Sequence, residues 1–264
     1  LIRLLSLGGF ELTQFLSSSP QVLGCIPAPA HAAPELDLDL EGLPTERTLG
    51  YLWSCESDAF VFSLSPSPEA TSKRDILSAV STVFDPLGLL APVVLVVKIL
   101  LQELWRLKLE WDEPVPADIA ARWRKWCIEL PALKELVIRR GHLDRPRSAY
   151  RSVQLHAFAD ASKDGFGAVL YLRVEDNSGV CSRLVMAKAR VSPLRQLTIP
   201  KLELQAAVVA ARLANFYLKE SSLSIDSVTY WSDAMVVLRW LNSSHRRFVT
   251  FVANRVSEIL ETSQ

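Results

Sequence analysis

The chain has 264 residues, 49% of them hydrophobic and 22% charged. That is room for one or two domains and apolar content enough for a core, which excludes a disordered chain. Its 29 basic and 29 acidic residues cancel, which excludes a generally basic nucleic-acid-binding tail.

The balance is uneven along the chain. Residues 1–150 hold 15 Lys/Arg and 19 Asp/Glu, whereas residues 151–264 hold 14 and 10, so the second part is mildly basic. Cys25, Cys55, Cys127 and Cys181 form no C-x-x-C pair, which excludes a zinc ribbon and a disulfide scaffold. Such thiols read as structural, in a reducing intracellular compartment, cytoplasmic or nuclear. The longest apolar run, Leu87–Val97, is broken by Pro92 and closed by Lys98, short of the ~20 residues of a membrane span. The opening LIRLLSLGGF lacks a signal-peptide cleavage pattern and a start methionine, so the sequence reads as an internal piece of a longer chain.

In chain order, residues 1–16 predict a short helix interrupted at Gly8-Gly9, and residues 17–48 a loop or linker. Leu49–Trp53 and Ala59–Leu64 predict two short strands, and Ser65–Pro68 a turn. Ser72 is placed to cap a helix over Lys73–Phe84, with Ile76, Leu77, Val80 and Val83 as its apolar stripe. Asp85-Pro86-Leu87-Gly88 stops that helix. Further helices are expected over Pro92–Lys108 and Pro116–Arg140, the latter bent or broken at Pro131. Trp105, Trp123 and Trp126 are expected to pack these helices, with Trp111 nearby.

After residue 150 the pattern changes to strands. Val153–Ala159, Phe166–Val174 and Arg183–Arg190 alternate, and the turns Ser162–Gly165 and Glu175–Gly179 are short enough for hairpins. A helix over Pro200–Lys219 follows, with Leu202, Val209, Leu213 and Phe216 near one face. Its Ala206, Ala207, Ala210, Ala211 and Ala214 keep it slim enough to lie close on a sheet. A fourth strand, Ser227–Trp231, precedes helices over Ala234–Asn242 and Phe248–Glu261. This order predicts an α/β fold with a mixed sheet.

Three acids stand out: Asp160 at the end of the first strand of this region, Glu203 in the first turn of the long helix, and Asp233 at the end of the fourth strand. Each has a local explanation, respectively a turn opener, a partner for the helix dipole and a helix cap. Together they make a site if two central strands end side by side and the helix aims Glu203 between them. Crowded carboxylates raise one another's pKa, and a hard divalent ion, Mg²⁺ or Mn²⁺, relieves the repulsion. Two such ions suit phosphodiester hydrolysis. Lys163, Arg246 and Arg247, with Lys188, Arg190 and Arg195, could track phosphates or simply form a solvated surface. His156 shares the strand face of Asp160 and reads as structural.

The segments HAFADAS, GFGAVLYL, TIPKLELQAAVVAARL and YWSDAMVVLRWL resemble the RNase H domain of Pao/BEL-type LTR retrotransposon pol polyproteins. SKRDILSAVSTVFDPLGLLAPVVLVVKILLQELW with WDEPVP resembles the reverse-transcriptase thumb and connection of the same polyproteins, and LLSLGGFELTQFLSSSPQVLGCIP the stretch after the polymerase palm. FVANRVSEI near the end is also typical. This region is commonly catalogued as a Pao retrotransposon peptidase. The resemblance implies three segments: 1–64, the end of the palm and a linker; 65–150, the helical thumb/connection; and 151–264, an RNase H-like domain without its last segment.

The resemblance further implies that Asp160, Glu203 and Asp233 are catalytic, metal-binding carboxylates holding two Mg²⁺ or Mn²⁺ ions. They would cut the RNA strand of an RNA–DNA hybrid, alongside the polymerase and integrase of the same polyprotein and with no membrane partner. The usual fourth aspartate lies beyond a further strand and has no match here, since Glu258 and Glu261 fall on the preceding helix. The chain ending at Gln264 is therefore expected to bind metal weakly and to cleave poorly. Two alternatives stand beside this reading. One is a non-catalytic remnant or co-opted nucleic-acid- or protein-binding module. The other is an aspartic peptidase, as the catalogued name suggests, although no Asp-Thr-Gly or Asp-Ser-Gly loop occurs and the nearest string is Asp176-Asn177-Ser178-Gly179.

Overall fold

The computed structural model of the chain describes residues 2–31, 45–48, 51–64, 66–69, 71–243 and 247–263. In chain order the elements are α1 (Ile2–Leu7), α2 (Pro20–Gly24), β1 (Thr45–Thr48), β2 (Tyr51–Ser54), β3 (Ala59–Val61), α3 (Lys73–Ser81), α4 (Ala91–Arg106) and α5 (Ala117–Glu129). They continue with β4 (Ile138–Arg139), β5 (Ser152–Ala161), β6 (Gly165–Asp176), β7 (Gly179–Val191), α6 (Ile199–Glu220), β8 (Ser227–Trp231), α7 (Met235–Leu241) and α8 (Thr250–Thr262). The chain divides into two compact units: residues 1–65 with 130–141, and residues 66–129 with 142–264. Helices α3–α5 belong to the same unit as β5–β8.

The first unit is built on an antiparallel sheet in the order β1-β2-β3-β4. Two expectations fail in it. Residues 17–48 are not only loop, since they contain α2 and β1. The helix expected to reach Arg140 ends at Glu129 and gives way to a 3₁₀ turn, Leu130–Glu135, and then to β4. Pro131 has no N–H to continue the helix, and Ile138 pairs with Phe60 of β3. Arg140 holds Asp58 through two guanidinium hydrogen bonds of 2.7 and 3.2 Å, and Trp53 Nε1 donates to the same carboxylate at 3.0 Å.

The second unit carries a sheet in the order β7-β6-β5-β8, with β5–β6 and β6–β7 antiparallel and β5–β8 parallel. It is the α/β mixed sheet that the sequence predicts. Alternation along β5 sends Val153, Leu155, Ala157 and Ala159 into the core, and β6 sends Phe166, Ala168, Leu170, Leu172 and Val174 to the same side. Helix α6 lies on this face through Leu202, Ala206, Val209, Ala210, Leu213 and Ala214. Its other side, Leu204, Val208 and Ala211, is covered by Val237 of α7 and Val252, Val256 and Ile259 of α8. Helix α6 is therefore the middle of three layers, which is why it needs small residues on both sides. Phe216 departs from the expectation that it lies with the core stripe: it is 53% exposed.

Helix α3 begins with a full capping box, in which Ser72 Oγ accepts from Asp75 N and the Asp75 carboxylate accepts from Ser72 N. Trp123 and Trp126 are buried, stacked 5.2 Å apart, and bonded through their indole N–H groups to the carbonyls of Ser67 and Val93. Trp105 does not join them and is 49% exposed. It meets Trp111 edge to face instead, and both rings flank the buried Lys73 ammonium at 4.2 and 4.8 Å. Helix α3 ends at Ser81, short of the expected Phe84, and the Asp85–Gly88 loop that follows docks on β7, where Leu87 O accepts from Ala187 N at 2.8 Å. Gly88 has φ +70°, and a Cβ there would sit 1.9 Å from Ala187 O, so only glycine makes this contact. The Asp85 carboxylate then accepts from Leu89 N and Leu90 N and opens α4.

Candidate metal centre and its groove

Strand pairing brings the two aspartates together. Phe158 of β5 is in register with Trp231 of β8, and because the strands are parallel their C-terminal ends share one edge of the sheet. Asp160 and Asp233 each lie two residues beyond that pair. Asp160 is still within β5, whereas Asp233 lies in the Ser232–Ala234 link before α7, past the strand end where it was expected. Neither local explanation accounts for them. The turn after β5 is held by Ser162 Oγ, which accepts from Asp164 N and Gly165 N. The residue capping α7 is Ala234, with no side-chain cap.

Glu203 is the fifth residue of α6 rather than one of its first turn, so the dipole explanation loses force. It is aimed at the sheet edge and is only 8% exposed. One carboxylate oxygen from each of Asp160, Glu203 and Asp233 lies within 4.8 Å of the others, the one such cluster of three metal-ligating side chains among the described residues. Burial pushes the Glu203 carboxyl above its usual range, and the charges of Asp160 and Asp233 push it the same way. Glu203 Oε2 is buried with no hydrogen-bond partner. An orphaned acceptor facing two exposed carboxylates is the electrostatic profile that a hard divalent cation completes. The donor set therefore fits such an ion.

Asp160 and Asp233 border a groove of about 850 Å³ on the face of the sheet opposite α6. Its floor next to Asp160 is Gly167, where a Cβ would come within 2.9 Å of Lys188 O. Along its wall, Phe158 and Trp231 stack at 5.8 Å and 9°, and Tyr171 meets Phe158 edge to face at 6.1 Å. Trp231 Nε1 donates to His156 Nδ1 at 3.0 Å, which leaves the neutral ring's proton on Nε2. His156 thus orients the indole, and its pKa is lowered by partial burial and by the charge of Arg173. The sequence flagged His156 but not the row of Phe158, Tyr171 and Trp231. Their shared face was available from strand alternation.

The candidate cations scatter. Lys163 is exposed at the turn between β5 and β6, three residues past Asp160, and Arg247 is exposed ahead of α8. Arg246 lies outside the described residues. Glu258 pairs with Arg212 and Glu261 accepts from Ser257, so neither joins the cluster. Asp176 serves the β6–β7 hairpin, accepting from Ser178 Oγ, Ser178 N and Gly179 N, and those bonds, the hydroxyl's first, hold its carboxyl below the usual range.

A mixed sheet with three carboxylates at the C-terminal end of its parallel pair defines an α/β protein with an acidic cluster whose donor set fits a divalent cation. The family description "Pao retrotransposon-like RNaseH-like domain" matches residues 72–234, and the chain belongs to that family. No curated protein is a significant match. The chain is similar to RNase H1 from the halophilic archaeon Halobacterium salinarum NRC-1, with 14% identity over 41% of this chain and 76% of that one, TM-score 0.29. It is also similar to the foamy viral protease-reverse transcriptase solved with double-stranded DNA, with 12% identity over 83% of this chain and TM-score 0.44, and it spans only 36% of that protein. LC11-RNase H1, solved with an RNA/DNA hybrid, matches at 11% identity over 42% of this chain and 75% of its own, TM-score 0.28. Among the described residues no helix is long and apolar enough to cross a membrane.

Proposed function

We propose that the chain is the RNase H-type part of a retrotransposon pol polyprotein and that its acidic triad hydrolyses the RNA strand of an RNA–DNA hybrid. The observation that carries this reading is the convergence of Asp160, Glu203 and Asp233 on one point, within 4.8 Å. Asp160 and Asp233, exposed at the groove, would hold Mg²⁺ or Mn²⁺ from the solvent side, and the buried Glu203 from beneath. Bound there, the ion supplies positive charge for the phosphodiester and a water of lowered pKa. The chain's own groups do the rest. Phe158, Tyr171 and Trp231 offer flat apolar surface to the substrate, His156 fixes the indole, and Lys163 stands by for phosphate. The polymerase and integrase of the polyprotein would be its neighbours. Residues 1–64 would then be the end of the palm with a linker, and the helical segment 65–150 a support for the hybrid ahead of the nuclease segment 151–264.

The test is cleavage of a labelled RNA–DNA hybrid by the chain in Mg²⁺ or Mn²⁺. Asp160→Asn, Glu203→Gln and Asp233→Asn should each abolish metal-dependent cleavage while leaving the fold intact. Cleavage that survives all three substitutions would exclude the triad.

A further inference from the structure

Asp160 stands on a part of β5 that has left one of its two neighbours behind. The β5–β8 pairing ends at Phe158 and Trp231, whereas β5 runs on to Ala161. Among the described residues, Ala159, Asp160 and Ala161 therefore pair with β6 alone, opposite Ala168, Gly167 and Phe166. The tip of β6 depends in turn on the last pair of the β6–β7 ladder, Gly165 with Val191. A carboxylate that shares an ion with two others needs a rigid base, because a ligand misplaced by about 1 Å already loosens a site.

Beyond that last pair the chain is tied to helix α4. Ser192 N donates to Asp164 O at 2.9 Å, one backbone bond past the ladder. Gln102 Nε2 then donates to Ser192 O at 2.5 Å. The acceptor is a carbonyl, so the amide nitrogen must be the donor. Inside the turn, Ser162 Oγ accepts from Asp164 N and Gly165 N, both at 3.2 Å, and Ser162 N donates to Gly165 O at 2.8 Å. Ala161, at the start of the same turn, touches two of the acids. Its N–H donates to Asp160 Oδ1 at 2.7 Å. It also helps to hold down the Glu203 carboxyl that burial and the two aspartates raise.

Helix α4 is itself well seated. Leu95 is seven residues before Gln102, two turns away on the same face, and lies against the same turn. A Cβ on Gly165 would come within 3.2 Å of Leu95 Cδ2. Trp126 Nε1 of α5 donates to Val93 O at 3.0 Å, and Arg122 of α5 pairs with Glu103. We propose that Gln102 is a positioning residue of the candidate metal centre. From α4 it holds the end of β7 and the β5–β6 turn, and so keeps Asp160 in ion-sharing reach of Glu203 and Asp233. The inference deepens the proposed function and rests on it, since it takes the triad to hold a divalent cation.

The test measures Mn²⁺ affinity of the full chain by electron paramagnetic resonance, with the melting temperature beside it. Salt is kept at about 200 mM, where distant charges are screened. Gln102→Met keeps the length and the helix propensity but has no donor. Gln102→Glu keeps the shape and sets an acceptor against the Ser192 carbonyl, whereas Gln102→Lys keeps a donor of similar reach. The Met and Glu variants should bind Mn²⁺ about threefold to tenfold more weakly, less than the 10–100-fold typical of a group bonded directly to a metal ligand. The Lys variant should stay within about twofold of the unsubstituted chain, because the donor that the brace needs is still there. Charge by itself acts in the opposite order, since an added carboxylate attracts the ion and an added ammonium repels it. A purely structural bond would lower the melting temperature of the Met and Glu variants and leave Mn²⁺ affinity alone. Equal affinity in all four proteins, or tighter binding by the Glu variant than by the Lys variant, overturns the proposal. If the Met variant does not fold, the order of Glu and Lys decides. Asp160→Asn separates this inference from the reading it rests on. Mn²⁺ binding that Asp160→Asn abolishes and no Gln102 variant alters removes the role of Gln102 and leaves the metal centre standing. No binding by the unsubstituted chain, or binding that Asp160→Asn leaves unchanged, overturns both.

Discussion

The two faces of the β5–β6 hairpin are made from alternate residues of the same strands, and they behave as different materials. One face, Val153, Leu155, Ala157 and Ala159 with Leu170 and Leu172, is sealed by α6. The other, His156, Phe158 and Asp160 with Gly167 and Tyr171, borders the open groove or stacks beside it. A one-residue slip in register would exchange the two, so the apolar face fixes where the acid and the aromatics stand. The sealed face supplies stability and the open face supplies chemistry. Substitutions should therefore separate the two properties cleanly.

The largest effect is expected from Asp160→Asn on the open face. Metal-dependent hybrid cleavage, already expected to be weak, should fall by a further factor of about 10²–10³, the scale of removing one essential electrostatic element from a site. Thermal stability should hold or rise slightly, because one of three mutually repelling charges has gone. Calorimetry beside a cleavage assay reads both quantities. A clear drop in melting temperature would show that the aspartate is structural and would break the contrast between the faces.

On the sealed face, Leu155→Ala should cost about 2–5 kcal/mol. Leu155 is fully buried beneath α6, and three packed layers leave little room to collapse around the void. Urea unfolding measures the loss directly. A cost below about 1 kcal/mol would mean that the layer is far looser than its burial indicates. Trp231→Ala on the open face should cost the fold less. The ring is 49% exposed and rests on Phe158 and His156. Its loss should appear instead in hybrid affinity, by about 1–3 kcal/mol if a base or sugar stacks there. Equal loss of affinity from an exposed aromatic of the same unit outside the groove's lining, such as Phe84→Ala, would remove the argument for stacking.

Much of the second unit was legible because its signals are local. Alternation in LHAFADA and GAVLYL gives both faces, short turns give the hairpins, and the order of strands places Asp160 and Asp233 at one edge. The resemblance to Pao elements pointed to the same three acids. What failed depended on partners distant in sequence. Periodicity marks Trp105 and Trp123 alike, but only Trp123 reaches the carbonyl of Ser67, while Trp105 is drawn to Lys73 and Trp111. Val137 and Ile138 lie in what reads as helix until β3 offers an edge to pair with. Glu203 was found, but its burial and its orphaned oxygen arise only where α6 meets the sheet edge, which no local pattern shows.

The smallest expected effect tests the sealed side by pH. His142 lies against α6, where its Nδ1 and the Tyr217 hydroxyl are 3.0 Å apart. Burial holds the His142 pKa below its usual value and pushes that of Tyr217 up. The phenol therefore stays neutral and donates to a neutral imidazole. When folded, the imidazole binds a proton less readily than in the unfolded chain, whose value is about 6.5. As pH falls through that value the unfolded state takes up the proton first, so stability is full above it and is lost progressively towards the lowered folded value. Melting temperature should decline between about pH 7 and 5, and His142→Gln, which keeps an acceptor for Tyr217 but cannot titrate, should flatten part of that decline. Asp160→Asn should leave this His142-dependent part unchanged, because the acid stands on the other face of the sheet. If the two substitutions instead flatten the same part of the curve, the faces are electrostatically coupled and the separation drawn between them does not hold.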